Sequence, residues 1–391
     1  MTKQAIINAR IISMAGPILE KGMLLWEDSK ILALGEELVI PPGTVVNDVN
    51  GKTVVPGFID AHTHLGIYEE IFPEGDDLNE IAEPITPQLR ALDAVNPYDI
   101  AFRDAVSGGV TTVMTGPGSA NVISGTSLVM KTAGKTLDDM VLIQQAGLKI
   151  AFGENPKRVY SEQKKMPGTR MAIAALLRQA LMDAEDYRAK KEKAIKDSGV
   201  AERDLGLENI LLVLERKIPL RAHAHRADDI ATALRIAEEF QVDLVLEHGT
   251  EAQKLIPQLL AKQIPVVVGP TLIGRSKVEL AELSWQTAIL LNQSGVLVAL
   301  TTDHSVIPIQ YLPLCASLAV RNGMGEDAAL RAITINPARI LGLDDRIGSL
   351  EAGKDADLVI LTGHPLDWQT KVAQVYINGQ EVYNCKEQQI K

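Results

Sequence analysis

The periodicity of apolar positions changes twice along the chain. Residues 3–55 carry short β-prone runs, KQAIINARIIS, GMLLWEDSKILALG and TVVNDVNGKTVVPG, broken by Gly, Pro, Asp and Asn. Residues 346–384 show the same texture in RIGSLEAGKDADLVILTG and AQVYINGQEVYN. Between them, near-continuous apolar runs alternate with helical stretches. Eight runs predict strands, at 53–62, 109–116, 125–132, 147–153, 218–225, 242–249, 264–269 and 295–303. Runs that are apolar at almost every position suit strands buried on both faces. The third, GTSLVMKT, has the poorest strand pattern. Helical periodicity occupies 170–194, 227–240, 251–262 and 284–293.

Alternation of strand and helix predicts a parallel sheet, and eight such units predict a (β/α)8 barrel. The expected fold class is therefore α/β, a TIM-like barrel over 56–345. The two β-rich ends, 1–55 and 346–391, are expected to form one small composite β-sandwich, because domain termini usually lie close together.

Composition narrows the picture. The chain has 391 residues, 46% hydrophobic and 23% charged, as an ordered globular protein requires. Its net charge of −11 argues against a nucleic-acid partner. No apolar run reaches the roughly 18 residues of a membrane span, so no membrane association is expected. The opening MTKQAIINARIISMAGP lacks the charged start and long apolar run of a targeting segment, and a cytoplasmic location is expected. Two cysteines, Cys315 and Cys385, supply neither a disulfide framework nor a thiolate zinc site, which suits a reducing compartment. The mixed charge run at 185–197 reads as a solvated helix face.

The chemistry is expected at strand ends. Of seven histidines, His62 and His64 end the first barrel strand as His-x-His. Alternate strand residues share a face, so both rings can reach one point. His223 and His225 end the fifth strand with the same spacing, His248 ends the sixth, and Asp303 with His304 ends the eighth. A lone His of this kind is usually a satisfied core residue. Several strands converging at the carboxyl end of a barrel make a divalent-metal site the stronger reading.

PGFIDAHTH, the later strand-end histidines, TTDHS and NPARILGLDDRIGSLEAGKDADLVIL together resemble the amidohydrolase superfamily, most closely its imidazolonepropionase-like members, over nearly the whole chain. That resemblance implies a distorted metal-dependent hydrolase barrel with a composite β-domain. It implies that His62, His64 and Asp303 hold one metal and His223 and His248 a second. Asp303 would shuttle the proton of a metal-activated hydroxide. His225 and His304 are candidates for stabilising the oxyanion. In two-metal relatives a carboxylated Lys or a Glu bridges the ions. Glu154 is preferred here over Lys149 because it follows its apolar run, where the other ligands lie, and Lys131 ranks last. One or two divalent ions are implied, zinc first, with Mn, Fe or Co as alternatives. A homo-oligomer is implied as well.

The expected activity is hydrolysis of a carbon–nitrogen bond in a small molecule: a cyclic amide, an N-acyl amino acid or a small peptide. One alternative is a one-metal aminohydrolase that deaminates a heterocycle. A second is imidazolonepropionase proper, where the fifth-strand His is commonly followed two residues later by Glu; this chain has His225 there. A third is a catalytically inactive scaffold, against which the full ligand set speaks. Arg226, Lys157 and Arg158 are candidates for gripping an anionic substrate group. The acidic segment 69–87 follows the first strand and reads as a solvated loop, with a lid or subunit contact as the alternatives.

Overall fold

The computed structural model describes residues 2–70, 76–197 and 199–386. Five strands come from the amino-terminal part: β1 (Lys3–Ile11), β2 (Leu19–Glu27), β3 (Lys30–Gly35), β4 (Val45–Asp48) and β5 (Thr53–Pro56). Eight follow in the middle: β6 (Phe58–Thr63), β7 (Val110–Thr115), β8 (Ile123–Lys131), β9 (Val141–Ala151), β10 (Leu220–Ala224), β11 (Leu244–His248), β12 (Val266–Val268) and β13 (Val298–Leu300). Three close the chain: β14 (Leu358–Leu361), β15 (Val372–Ile377) and β16 (Gln380–Asn384).

Strands from both ends form one sheet, in the order β16-β15-β14-β5-β1-β2-β3, with β4 also on β1. Strand β15 lies four steps from β2 along that path, which would separate them by roughly 19 Å in a flat sheet. Yet the rings of Trp26 on β2 and Tyr376 on β15 meet edge to face with centroids 5.3 Å apart. The sheet therefore folds over itself around Ile6, Ile11, Leu24, Trp26, Leu358 and Ile360. The Trp26 indole N–H donates to the Gly379 carbonyl at 3.2 Å, so its polar atom is satisfied inside this core.

The barrel runs in sequence order from β6 to β13. Seven of its strands run parallel to one another as expected, but β8 is antiparallel to both β7 and β9. The cause is chain length: residues 116–122 alone join β7 to β8, while a parallel crossover needs a dozen or more. The fully parallel expectation is corrected at this strand. Closure between β13 and β6 rests partly on Asp60, whose carboxylate accepts from the Thr302 N–H at 2.9 Å and the Thr301 hydroxyl at 2.6 Å.

The run at 53–62 divides at Gly57. β5 belongs to the terminal sheet and β6 to the barrel. A Cβ at Gly57 would sit 2.0 Å from the Thr111 hydroxyl, so the chain passes between layers only with glycine there. Buried ion pairs tie the layers together. Lys131, at the far end of antiparallel β8, meets Asp357 and, at 3.1 Å, Asp355; the latter also binds Lys30 and Arg346, each at 2.8 Å. The GSLEAGKDADLV segment thus acts as a fastener between sheet and barrel.

Helix Arg170–Lys196 starts on Thr169, whose hydroxyl caps the Ala172 N–H at 3.1 Å. It buries Ile173, Leu177, Ala180, Leu181 and Ala184, one face at helical spacing; its charged second half packs no such stripe. No helix among the described residues is long and apolar enough to cross a membrane.

Candidate metal centre and active site

The carboxyl ends of the parallel strands converge on a cavity of about 360 Å³ lined by His62, His64, His223, His225, His248 and Asp303. A larger groove, about 850 Å³, includes Lys217, Gln263 and Arg339 but none of the histidines.

Among the described residues three overlapping groups of donors come together, each within 4.8 Å: His62, His64 and Asp303; His223, His225 and His248; and His62, Glu247 and His248. The His62 Nε2 lies 3.1 Å and the His64 Nε2 3.4 Å from Asp303 Oδ1. The rings of His223 and His248 are 4.3 Å apart. Two of the donors reach the cavity through left-handed backbone, His248 at φ +69° and Asp303 at φ +52°. A regular β11 would turn His248 to the face opposite Glu247; the unusual φ brings both inward.

The hydrogen bonds fix which nitrogen faces the cavity. The His64 Nδ1 meets the Gly116 carbonyl at 2.7 Å, and the His248 Nδ1 meets the Gly269 carbonyl at 2.7 Å. A carbonyl only accepts, so each Nδ1 carries the proton and each Nε2 offers a lone pair. Among the described residues, Nε2 of His223 and His248 and Oδ1 of Asp303 are buried without a hydrogen-bond partner. Unpaired buried polar atoms cost on the order of 1–3 kcal/mol each. Several of them aimed into one cavity, with imidazole and carboxylate chemistry, fit a divalent cation.

The electrostatics agree. Burial, reinforced by neighbouring rings, holds His223 and His225 well below the usual imidazole range, and burial pushes His248 down to about 3. These rings are therefore neutral, the form that ligates metal. Burial alone would raise Asp303, but His62 and His64 beside it hold the carboxyl well below its ordinary range.

The sequence reading of the remaining residues fares unevenly. Glu154 stands outside every converging donor group. It opens helix Glu154–Glu162, and its backbone N–H is held by Glu279 at 3.0 Å. Lys149, ranked below Glu154 because it begins its apolar run, lines the cavity: its long side chain rises to meet Glu247. Lys131 lies at the opposite end, since β8 runs backwards. His304 is fully buried off the cavity wall, its carbonyl accepting the His64 N–H at 2.7 Å. Arg226 is engaged by Asp228 through two bonds of 2.9 Å, and neither it nor Lys157 lines the cavity; Arg158 does.

Sequence reasoning missed Glu247, Lys277 and Glu279. Glu247 immediately precedes His248, and its adjacency was the available signal. Of the acidic segment, residues 71–75 lie outside the described residues. Leu78 and Asn79 form part of the cavity wall, pinned by the Gly118 N–H on the Leu78 carbonyl at 2.8 Å and by the Ala120 N–H on Asn79 at 3.1 Å. That part is a wall rather than a solvated loop.

Comparison with known proteins agrees with this geometry. The profile of the Amidohydrolase family matches residues 53–382, and the chain belongs to that family. A crystal structure of an amidohydrolase from Thermotoga maritima MSB8 superposes with a TM-score of 0.96 at 46% identity, covering 97% of this chain and all of that one. Imidazolonepropionase of Mesorhizobium japonicum is 27% identical over 397 residues, 90% of each chain. Amidohydrolase tasK of Hapsidospora irregularis is 26% identical over 93% of this chain, which spans only 39% of that relative's length. The chain is an imidazolonepropionase-like enzyme of this superfamily, a hydrolase acting on carbon–nitrogen bonds. The family is metal-dependent, and the donors described above are suited to that role.

Proposed function

We propose that the protein hydrolyses an amide bond in a small molecule, either cyclic or an N-acyl amino acid or short peptide, with Asp303 as the proton shuttle. The observation that carries this reading is the set of orphaned buried donors from His223, His248 and Asp303 aimed into one cavity. His62, His64 and Asp303 would hold one divalent ion and His223 with His248 a second, zinc first among the candidates. Such ions supply Lewis acidity, which polarises a carbonyl and makes water nucleophilic near neutral pH.

The chain's own groups do the rest. Asp303, kept ionised by His62 and His64 beside it, accepts the proton of the attacking water and returns it to the leaving nitrogen. The Thr250 hydroxyl lies 2.8 Å from His225 Nδ1. With that hydroxyl donating, His225 presents Nε2–H to the cavity, a donor placed for the oxyanion of a tetrahedral intermediate. His304 supports His64 from behind.

Glu154 joins none of the donor groups, whereas Lys149, the other candidate bridge, lines the cavity. A site holding a single ion would direct the search toward a cyclic amidase like imidazolonepropionase, or a deaminase. Turnover of hydantoins, lactams, dipeptides and N-acetyl amino acids by metal-replete enzyme tests the proposal. Hydrolysis abolished by a chelator and restored by Zn or Mn is the expected result. Turnover unchanged after complete metal removal would overturn it.

A further inference from the structure

One side of the cavity has a charge pattern that the hydrolytic machinery does not use. Lys149, Arg158 and Lys277 are the cations that line it, and Asp303 is the lining carboxylate. The Lys149 ammonium is already neutralised by Glu247. Lys277 follows β12, and its Nζ donates to the Asn155 side-chain oxygen at 2.8 Å. Asn155 is held in turn by the Ser119 hydroxyl at 2.8 Å. Arg158 sits three residues after Asn155 on helix Glu154–Glu162, hence on the same face. Among the described residues, no carboxylate pairs with Arg158.

We infer that Lys277, together with Arg158, grips a carboxylate on the substrate, so that this enzyme acts on amides that carry a free acid. The inference rests on the amidohydrolase reading above and specifies its substrate class. The closest partner of Lys277 is a neutral amide. Glu279 Oε1 stands 3.6 Å away, outside hydrogen-bond range, which leaves ammonium protons free for a ligand. Glu279 itself is buried, anchored through Oε2 by the Glu154 N–H at 3.0 Å and facing His225 at 3.9 Å through Oε1. It acts as a positioning residue that keeps Lys277 on the His225 side of the cavity. Glycine at position 153 makes room for it, since a Cβ there would lie 2.6 Å from Glu279 Oε2.

A planar carboxylate suits the pair, because a guanidinium fork and an adjacent ammonium can both donate to its two oxygens. Arg226, the other cation near the fifth strand, cannot serve because Asp228 occupies its fork.

The test uses metal-replete enzyme and matched pairs: N-acetyl amino acids and dipeptides against their carboxyl-terminal primary amides. Wild type is expected to favour the acids in kcat/KM by roughly tenfold or more, the value of one charged hydrogen bond. Lys277→Met should collapse that preference mainly through KM for the acid, and Lys277→Arg should recover part of it. An acid preference that persists in a folded Lys277→Met protein overturns the inference while leaving the hydrolase reading intact. Turnover of acids and amides alike by wild type overturns it in the same way. Turnover of neither removes the amide-hydrolase reading for this class, and the inference with it. If Lys277→Met does not fold, because it strips Glu279 of its neighbour, exposed Arg158→Gln carries the test: a several-fold loss of acid preference supports the grip, and an unchanged preference overturns it.

Discussion

His62 Nδ1 lies 3.0 Å from Glu247 Oε1, and that same carboxylate meets Arg221 Nε at 2.9 Å and the Lys149 ammonium. Glu247 is thus a negative hub beneath the candidate metal site, buried with its partners. Burial alone would raise its carboxyl, but His62, Lys149 and Arg221 hold it well below the ordinary range. One carboxylate stands beside His62 Nδ1 while it compensates two buried cations.

Glu247→Gln keeps the shape and removes the charge. Lys149 and Arg221 are then left in a low-dielectric interior without compensation. The expected loss of stability is about 3–5 kcal/mol, the usual cost of breaking a buried pair. Urea unfolding of the two proteins side by side measures it. A midpoint within error of wild type would show that the hub is not needed electrostatically.

Asp303→Asn removes the proton acceptor without changing volume. Turnover on any substrate found should drop by something on the order of 10²–10⁴-fold, the range for loss of a general acid–base group. The circular-dichroism spectrum should stay native. A folded variant with near wild-type kcat would remove Asp303 from the proton path.

Metal content tests whether Glu154 is a ligand. His248 belongs to two of the converging donor groups, and Glu154 to none. Protein purified without chelator and analysed by plasma mass spectrometry should lose metal in His248→Ala. Glu154→Ala should retain the wild-type content. Loss of an ion in Glu154→Ala would restore Glu154 as a ligand and require the start of helix Glu154–Glu162 to move inward.

The histidines were legible because their signal is local. His-x-His at the end of an apolar run places both rings on one face of a strand, and barrel geometry then brings the strand ends together. The second barrel layer was not legible in that way. Lys131, ranked last, lies at the far end because strand direction depends on a short β7–β8 connection, not on the composition of β8. Lys149, ranked below Glu154, nevertheless lines the cavity, because a backbone position near the beginning of a run says little about where a flexible side chain of that length delivers its amine. Lys277 and Glu279 lie after β12, at and within the single 3-10 turn Val278–Leu280, which is too short to show a periodicity. The composite terminal sheet was legible from matching β texture at both ends. Its folding over on itself shows only in the Trp26–Tyr376 contact.

The fastener between sheet and barrel should make stability depend on acid. Asp355 is buried among Lys131, Lys30 and Arg346. Burial would raise its carboxyl, but Lys131 first, then Lys30 and Arg346, hold it below the ordinary 3.8. A carboxyl whose folded pKa is depressed binds its proton more readily in the unfolded chain. Its stabilising contribution is therefore complete above the unfolded value and disappears as pH falls through the folded one. The stability gap between wild type and Asp355→Asn should accordingly be constant at neutral pH and shrink progressively below about pH 4. Urea midpoints of both proteins from pH 7 downward measure the gap. A gap that widens on acidification would mean that Asp355 is held as the neutral acid, and that Lys131 draws its compensation from Asp357 alone.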